Sequence, residues 1–308
     1  MRPLPPRRWT RESLLLLLPA SLLLALVVGV PALRVVQLSL CRVELHRGIV
    51  LHWAGLAQFA RLWQDGRWWT ALRNTAIFTA SSVAIEGALG VGMALLLHER
   101  FRGRGGVRAL VMLPWALPTA VMALAWAWIF NDSFGVFNDI LGRLGLLSTP
   151  IAWLGAPATA MVALVVADVW KTTPFVALIV LAGLQGIPES VLEAARVDGL
   201  SAVQRLRCVV LPLLAPSLLV ALTFRTIQSF AAFDLPYVMT GGGPGGATET
   251  VSLYAYQSDF RYLDFGYGSA IAVQGIVLAA LLALGLLRLL GARGGGRGGG
   301  GRGRGGPE

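Results

Sequence analysis

Six stretches of this chain are long and apolar enough to cross a lipid bilayer, and they restrict the fold more than anything else in the sequence. They run over about 14–37, 75–97, 108–130, 157–181, 213–236 and 268–290. A spanning helix needs ~20 apolar residues. In hydrocarbon every backbone N–H and C=O must be satisfied inside the segment, so such runs fold as helices. Composition agrees. Of 308 residues, 56% are hydrophobic and 14% charged, with mean hydropathy +0.67, whereas soluble domains carry about 25% charged residues. The expectation is an all-α membrane protein with six transmembrane helices.

The first stretch has a second reading, a signal peptide, because Arg7, Arg8 and Arg11 precede its leucines. Its apolar length through Leu40 favours an uncleaved anchor, and Arg34 can snorkel to the interface. Orientation follows from the basic residues. Arg2, Arg7, Arg8 and Arg11 precede the first span, and Arg100, Arg102, Arg104 and Arg108 lie between the second and third. Arg196, Arg205 and Arg207 lie between the fourth and fifth, and Arg293, Arg297, Arg302 and Arg304 follow the sixth. All four regions fall on one side, which places both termini in the cytoplasm. Residues 38–74, with Arg42, Arg47, Arg61, Arg67 and Arg73, weaken the asymmetry without reversing it. The net charge of +10 is therefore a topological signal, and no nucleic-acid partner is expected. Cys41 and Cys208 fall on opposite sides, so no disulfide is expected. Trp63, Trp68, Trp69, Trp115, Trp126 and Trp128 lie at span ends and read as lipid-anchoring aromatic belts. The Arg/Gly tail, 291–308, cannot bury a core and reads as a disordered segment attracted to anionic lipid.

Between the fourth and fifth spans lies a polar island, 187–216. Pro188 suits a first helical position and Glu189 its first turn. The helix is expected to run to Asp198 and stop at Gly199, which tolerates the left-handed C′ conformation. Ser201 with Gln204 three residues on forms a capping box for a second short helix, closed by Pro212. A rigid helix–turn–helix between spans suits docking of another protein.

The chain lacks the chemistry of an ATPase. Lys171 is its only lysine and is followed by Thr172, but the glycines of a phosphate-binding loop are not in place. No H-E-x-x-H, paired-cysteine metal spacing or G-x-S-x-G occurs, so no catalytic or metal-ligating residues are assigned.

Charged residues inside spans cost ~2.5–3.5 kcal/mol each on insertion scales and are functional candidates. Asp168 and Lys171 stand three apart in the fourth span and either neutralise each other or serve transport. In the fifth, Arg225, Gln228 and Ser229 share one face, flanked by Phe230 and Phe233. Amides, hydroxyls and rings suit a neutral polyol, and interhelical hydrogen bonding uses the same residues. Arg225 is expected to pair with a carboxylate of a neighbouring helix. Gln274 adds a polar group in the sixth span, and Glu86 in the second reads as a packed, paired carboxylate.

The island resembles a known family. Glu193-Ala194-Ala195, Asp198-Gly199 and Leu211-Pro212 match the EAA loop of ABC importer permeases. Leu113-Pro114-Trp115-Ala116-Leu117-Pro118, Asp168 to Phe175, Phe224-Arg225-Thr226, Phe233-Asp234, Thr240 to Pro244 and Thr248-Glu249-Thr250 are similar to the maltose/trehalose type. The resemblance covers most of 55–290. It implies the type I importer permease fold, with residues 1–70 as first helix and outer loop and 71–290 as a five-helix transport domain. It implies docking of a cytoplasmic ATPase at 187–216. The implied partners are a second homologous permease, two ATPase subunits that bind ATP and Mg, an extracytoplasmic sugar-binding protein and membrane lipid. The implied activity is import of a sugar, such as the disaccharides trehalose or maltose, across a bacterial or archaeal cytoplasmic membrane by alternating access. The substrate path is expected at Lys171, Gln228, Ser229, Phe230, Phe233 and Gln274. The alternative is an ion-coupled secondary transporter, whose mark would be an inverted repeat. No convincing repeat relates 1–150 to 151–308.

Overall fold

The computed structural model describes residues 11–45, 49–99 and 101–295. In chain order the elements are α1 (Arg11–Leu24), a π turn (Ala25–Gly29), α2 (Val30–Ser39), β1 (Cys41–Leu45), β2 (Ile49–Trp53), α3 (Ala57–Gln64), α4 (Gly66–His98), α5 (Arg104–Ala116) and α6 (Thr119–Ile129). They continue with α7 (Val136–Arg143), α8 (Pro157–Gln185), α9 (Glu189–Val197), α10 (Ala202–Arg205), a π turn (Leu206–Val210) and α11 (Leu211–Phe230). Last come α12 (Asp234–Thr240), α13 (Val251–Tyr256), a π turn (Gln257–Arg261) and α14 (Phe265–Gly295). Five helices or helix runs are long and apolar enough to span a membrane, Leu15–Ser39, Gly66–His98, Pro157–Gln185, Ala202–Phe230 and Phe265–Arg288, and the bent pair α5–α6 makes a sixth.

Contacts group the chain into two units, 1–65 with 255–274 and 66–254 with 275–308. In the first unit, the helix run 15–39 buries almost none of its apolar surface. A hairpin follows, with β1 antiparallel to β2 and Cys41 opposite Trp53. It is a local exception in a mostly helical structure. The alternation Cys-Arg-Val-Glu-Leu carries the period-two signature of a strand. Gln58 donates to the Cys41 carbonyl at 3.3 Å. That carbonyl lies where a side chain at Gly266 would sit, so the approach requires glycine. Arg61 pairs with Asp264 at 2.7 Å and lies 4.1 Å over the Tyr267 ring.

The second unit is built on α4, α8 and α11, which pack pairwise. In lipid, helix association depends on close packing and polar contacts, because the tails are as apolar as leucine. Small residues supply the closeness. A Cβ at Gly90 would fall 2.6 Å from Val176 Cγ1, and one at Gly183 would collide with Ser217 of α11. One apolar cluster joins Val176, Val180 and Leu184 of α8 with Ala94 of α4 and Leu214 of α11, and Ile187, Leu192 and Leu206 pack onto it from the polar island.

Three expectations about the spans are corrected. The stretch 108–130 is two helices meeting at 90°. Pro118 pushes Leu117 into extended backbone, ψ 139°, and the helix breaks there. The fifth span ends at Phe230 rather than 236, and Phe233 (φ −123°, ψ −55°) separates it from α12. Pro212 does not close the second island helix. The π turn Leu206–Val210 precedes it, and the Leu211 N–H reaches back to the Leu206 carbonyl, so α11 continues through Pro212. A widened turn is how a helix carries a proline whose missing N–H and ring would otherwise break it. In addition, α14 extends to Gly295, past the expected boundary at 291. The rest of the tail lies outside the described residues.

Candidate substrate cavity and docking surface

The fifth-span face forms as its spacing predicts. On α11, residues three and four apart stack on one side, and Arg225 is the hub. Its Nη1 donates to Gln228 Oε1 at 3.0 Å and its Nη2 to Ser229 Oγ at 2.8 Å. Nε donates to Glu86 Oε2 of α4 at 2.6 Å, and Nη2 also reaches Glu86 Oε1 at 2.9 Å and Asp168 Oδ2 of α8 at 2.9 Å. Glu86 and Arg225 are both buried. One guanidinium thus ties two carboxylates and three helices together, as the pairing expected for Arg225 and Glu86 requires. Fork geometry makes arginine suited to such a junction. Thr172 of α8 adds a hydrogen bond to Glu86 Oε1 at 2.7 Å.

Among the described residues Asp168 and Lys171 form no direct ion pair. The arginine takes Asp168, and Lys171 Nζ donates to Thr119 Oγ1 of α6 at 2.6 Å.

Beside the triad lies a cavity of about 340 Å³, at the small end of the ~300–1,000 Å³ typical of ligand pockets. Trp115 and Thr119 line it at the α5–α6 bend, Asp168, Lys171 and Thr172 from α8, Arg225 and Gln228 from α11, and the segment 231–235 closes it. The Trp115 ring stacks on Phe175, centroids 5.7 Å apart, and Phe233 stacks on Tyr237 at 5.2 Å. Both cavity-lining rings are therefore fixed in orientation. Because Gln228 Oε1 accepts from Arg225, its NH₂ remains the end available to a ligand. Two larger depressions differ in character. One, about 740 Å³ between α4 and α11, is lined almost wholly by aliphatic groups, and the other, about 600 Å³, lies around α7. The smallest of the three is the one that lies against the Arg225 triad.

Of the residues expected along a substrate path, Lys171, Gln228 and Phe233 line this cavity. Ser229 is buried behind it as an acceptor for Arg225. Phe230 lines the apolar groove instead, because it stands two positions round α11 from Gln228. Gln274, half-buried on α14, is not among the lining residues. Trp115, Thr119, Thr172 and Asp234 were missed. The belt reading of Trp115 overlooked Pro118, whose effect on Leu117 turns the helix end into a wall. The belt reading also fails for Trp68, which is 1% exposed. Among the described residues no group of three or more His, Cys, Asp or Glu could hold a metal.

In the polar island the stop at Gly199 and the second helix's cap form as expected, while Pro188 is the N-cap of α9 rather than its first helical residue. Gly199 has φ +77°, its N–H bonds to the Arg196 carbonyl at 3.0 Å, and the Leu200 N–H to the Ala195 carbonyl at 3.2 Å. These are the two bonds of a Schellman C-cap. The Ser201–Gln204 capping box is complete. Glu193, Ala194, Asp198 and Gly199 are exposed and Leu211 and Pro212 half-buried. Val197, one turn beyond Glu193 on α9, is 87% exposed, and Val203 of α10 is also exposed. Ala195 is 5% exposed and faces its own packing, so it supports the helix rather than a docking surface. Glu193 forms no ion pair with Arg196 among the described residues.

Membrane-spanning helices around a polar cavity, with a capped helical knob between two spans, define a permease component of a membrane transport assembly. The chain belongs to the family of binding-protein-dependent transport system inner membrane components, whose model matches residues 87–293. It is 45% identical over 240 residues to the trehalose/maltose transport system permease protein MalF of Thermococcus litoralis, covering 77% of this chain and 80% of that one. It is 40% identical over 293 residues to the sulfoquinovosyl glycerol transport system permease protein SmoG of Agrobacterium fabrum, covering 92% and 94%. Its fold matches that of a bacterial ABC transporter involved in the import of the acidic polysaccharide alginate, with TM-score 0.78 and 21% identity, covering 92% and 96%.

Proposed function

We propose that this chain is the permease subunit of an ATP-driven carbohydrate importer and that sugar passes through the cavity beside the Arg225 triad. The observation that carries the reading is the convergence of Lys171, Gln228 and Asp234 with the rings of Trp115 and Phe233 in one cavity. Hydroxyl-rich ligands need paired donors and acceptors against an aromatic wall. The sequence relatives named for trehalose, maltose and sulfoquinovosyl glycerol support the substrate class. They leave the particular sugar, and its charge, open. Nothing in the comparisons favours an ion-coupled mechanism.

In this reading, partner ATPase subunits hold ATP and Mg, a second permease completes the pathway, and an extracytoplasmic binding protein delivers the sugar at the cytoplasmic membrane. Closure of the ATPases moves the capped knob of α9 and α10. Because Ile187, Leu192 and Leu206 pack onto the α4–α8–α11 cluster, that movement reaches the cavity helices as a rigid shift between two packed arrangements. Glu193 and the neighbouring Val197 face the ATPase.

Reconstituted importer in proteoliposomes should accumulate radiolabelled trehalose or maltose only with ATP and binding protein. Glu193→Lys should lower co-purification of the ATPase. Sugar uptake that persists without ATP but follows an imposed ion gradient would refute the reading.

A further inference from the structure

We propose that Lys171 and Asp234 set the charge selectivity of the cavity, admitting an uncharged sugar and rejecting an anionic one, with Asp234 as the rejecting group. The inference rests on the reading of this cavity as the sugar path.

The argument begins with Arg225, whose positive charge is already committed. It bonds both oxygens of Glu86 and one of Asp168 and is 3% exposed. Two carboxylates share one guanidinium, so with both ionised the triad carries a surplus negative charge. Lys171, three residues beyond Asp168 on α8 and lining the same cavity, offsets that surplus. Its Nζ has three N–H donors and spends one on Thr119. Asp234 then adds a further carboxylate to the same wall, exposed to the cavity and without a hydrogen bond or ion pair among the described residues. With every group ionised, Asp168 and Asp234 face Lys171 and Arg225 across about 340 Å³, and the buried Glu86 behind Arg225 leaves the group one negative charge in excess.

A ligand carboxylate or sulfonate entering this space finds cations whose charge the carboxylates already offset. It must leave water, where its charge is well solvated, for a site already negative on balance. A neutral sugar has no such obstacle. Its hydroxyls can donate to Asp234 and accept from Lys171 and from the Gln228 NH₂. Removing the Asp234 charge leaves Lys171 and the triad balanced, and the objection to an anionic ligand falls away.

The test uses maltose and maltobiouronic acid, which differ at one carbon, CH₂OH against COO⁻. Binding of each to the purified full importer in nanodiscs is measured by isothermal titration at neutral pH. The wild type should bind maltose at least about tenfold more tightly than the uronate, a difference of ~1.4 kcal/mol. Asp234→Asn should narrow that ratio about tenfold, and Lys171→Met should widen it. The ratio is the readout because both residues line the cavity, so absolute affinities will move. Wild type binding the uronate as tightly as maltose overturns the proposal, as does Asp234→Asn leaving the ratio within twofold. Should neither sugar bind the wild type while the ATPase still co-purifies, the assignment of the cavity as a sugar path falls, and this inference with it.

Discussion

Arg225 shows how far a single residue could be read from sequence. A lone charge in a span must find a partner, so pairing with a neighbouring helix was legible, and Glu86 and Asp168 were the carboxylates at suitable depth. What was not legible is that one guanidinium takes both, since this depends on where α4, α8 and α11 cross. That crossing is set by Gly90 and Gly183, whose meaning appears only against Val176 and Ser217. Two predictions belong at this scale. Arg225→Met strands the buried Glu86 and the half-buried Asp168, a loss of ~3–5 kcal/mol for a broken buried pair, and should lower the Tm and monodispersity of the detergent-purified permease. The triple variant Glu86→Gln, Asp168→Asn, Arg225→Met removes all three charges together and should recover much of that Tm. If Arg225→Met alone is as stable as wild type, the triad holds nothing together. Gln228→Ala should behave differently. One hydrogen bond to a neutral sugar is worth ~0.5–1.5 kcal/mol, so uptake should fall severalfold with normal assembly and basal ATP turnover. Full-rate uptake would remove Gln228 from the path.

Helix ends were read better than helix interiors. Gly199 and the Ser201–Gln204 box are local devices, fixed by a few neighbouring residues, and both formed. The bend at Leu117–Pro118 and the passage of α11 through Pro212 are also local in origin, yet apolar periodicity masked them. The hairpin at 41–53 was hidden by the basic residues around it. At Gly199, a β-branched side chain cannot hold φ +77° without strain. Gly199→Val should therefore leave the spans inserted but misplace Leu200 and the knob, uncoupling ATP turnover from uptake. Normal uptake with a normal amount of bound ATPase would show that the C-cap is dispensable.

The π turn 257–261 gives a second test at this scale. It presses Asp259 against Gly268 of α14, with Oδ1 buried and, among the described residues, without a hydrogen-bond partner. Burial, and then the charge of Asp264, push its carboxyl up from 3.8 to about 7. The folded state therefore holds this proton more tightly than the unfolded one. Stability is highest below the unfolded value and falls as pH rises from 3.8 to about 7. Wild-type Tm should decline across the upper part of that window, and Asp259→Asn should flatten the decline. An unchanged slope in the variant would place the ionisation elsewhere.

At the scale of the whole molecule, the number of spans was legible because length and apolarity settle it one segment at a time. Orientation rests on something different, the sum of arginines over loops. The structure sharpens its test. Cys208 is exposed on the π turn beside the docking knob, whereas Cys41, the first residue of β1, is buried. A cysteine reagent therefore reports on one position rather than two. If the arginine-rich side is cytoplasmic, an impermeant maleimide added to spheroplasts should leave Cys208 unmodified. The same reagent added to inside-out vesicles should modify it, and Cys208→Ser should abolish the signal. Cys41 should stay silent in both preparations until the protein is denatured. Modification of Cys208 from outside would invert every loop. The knob would then face away from any cytoplasmic ATPase, and the coupling route from α9 through Leu192 to α8 would lose its purpose.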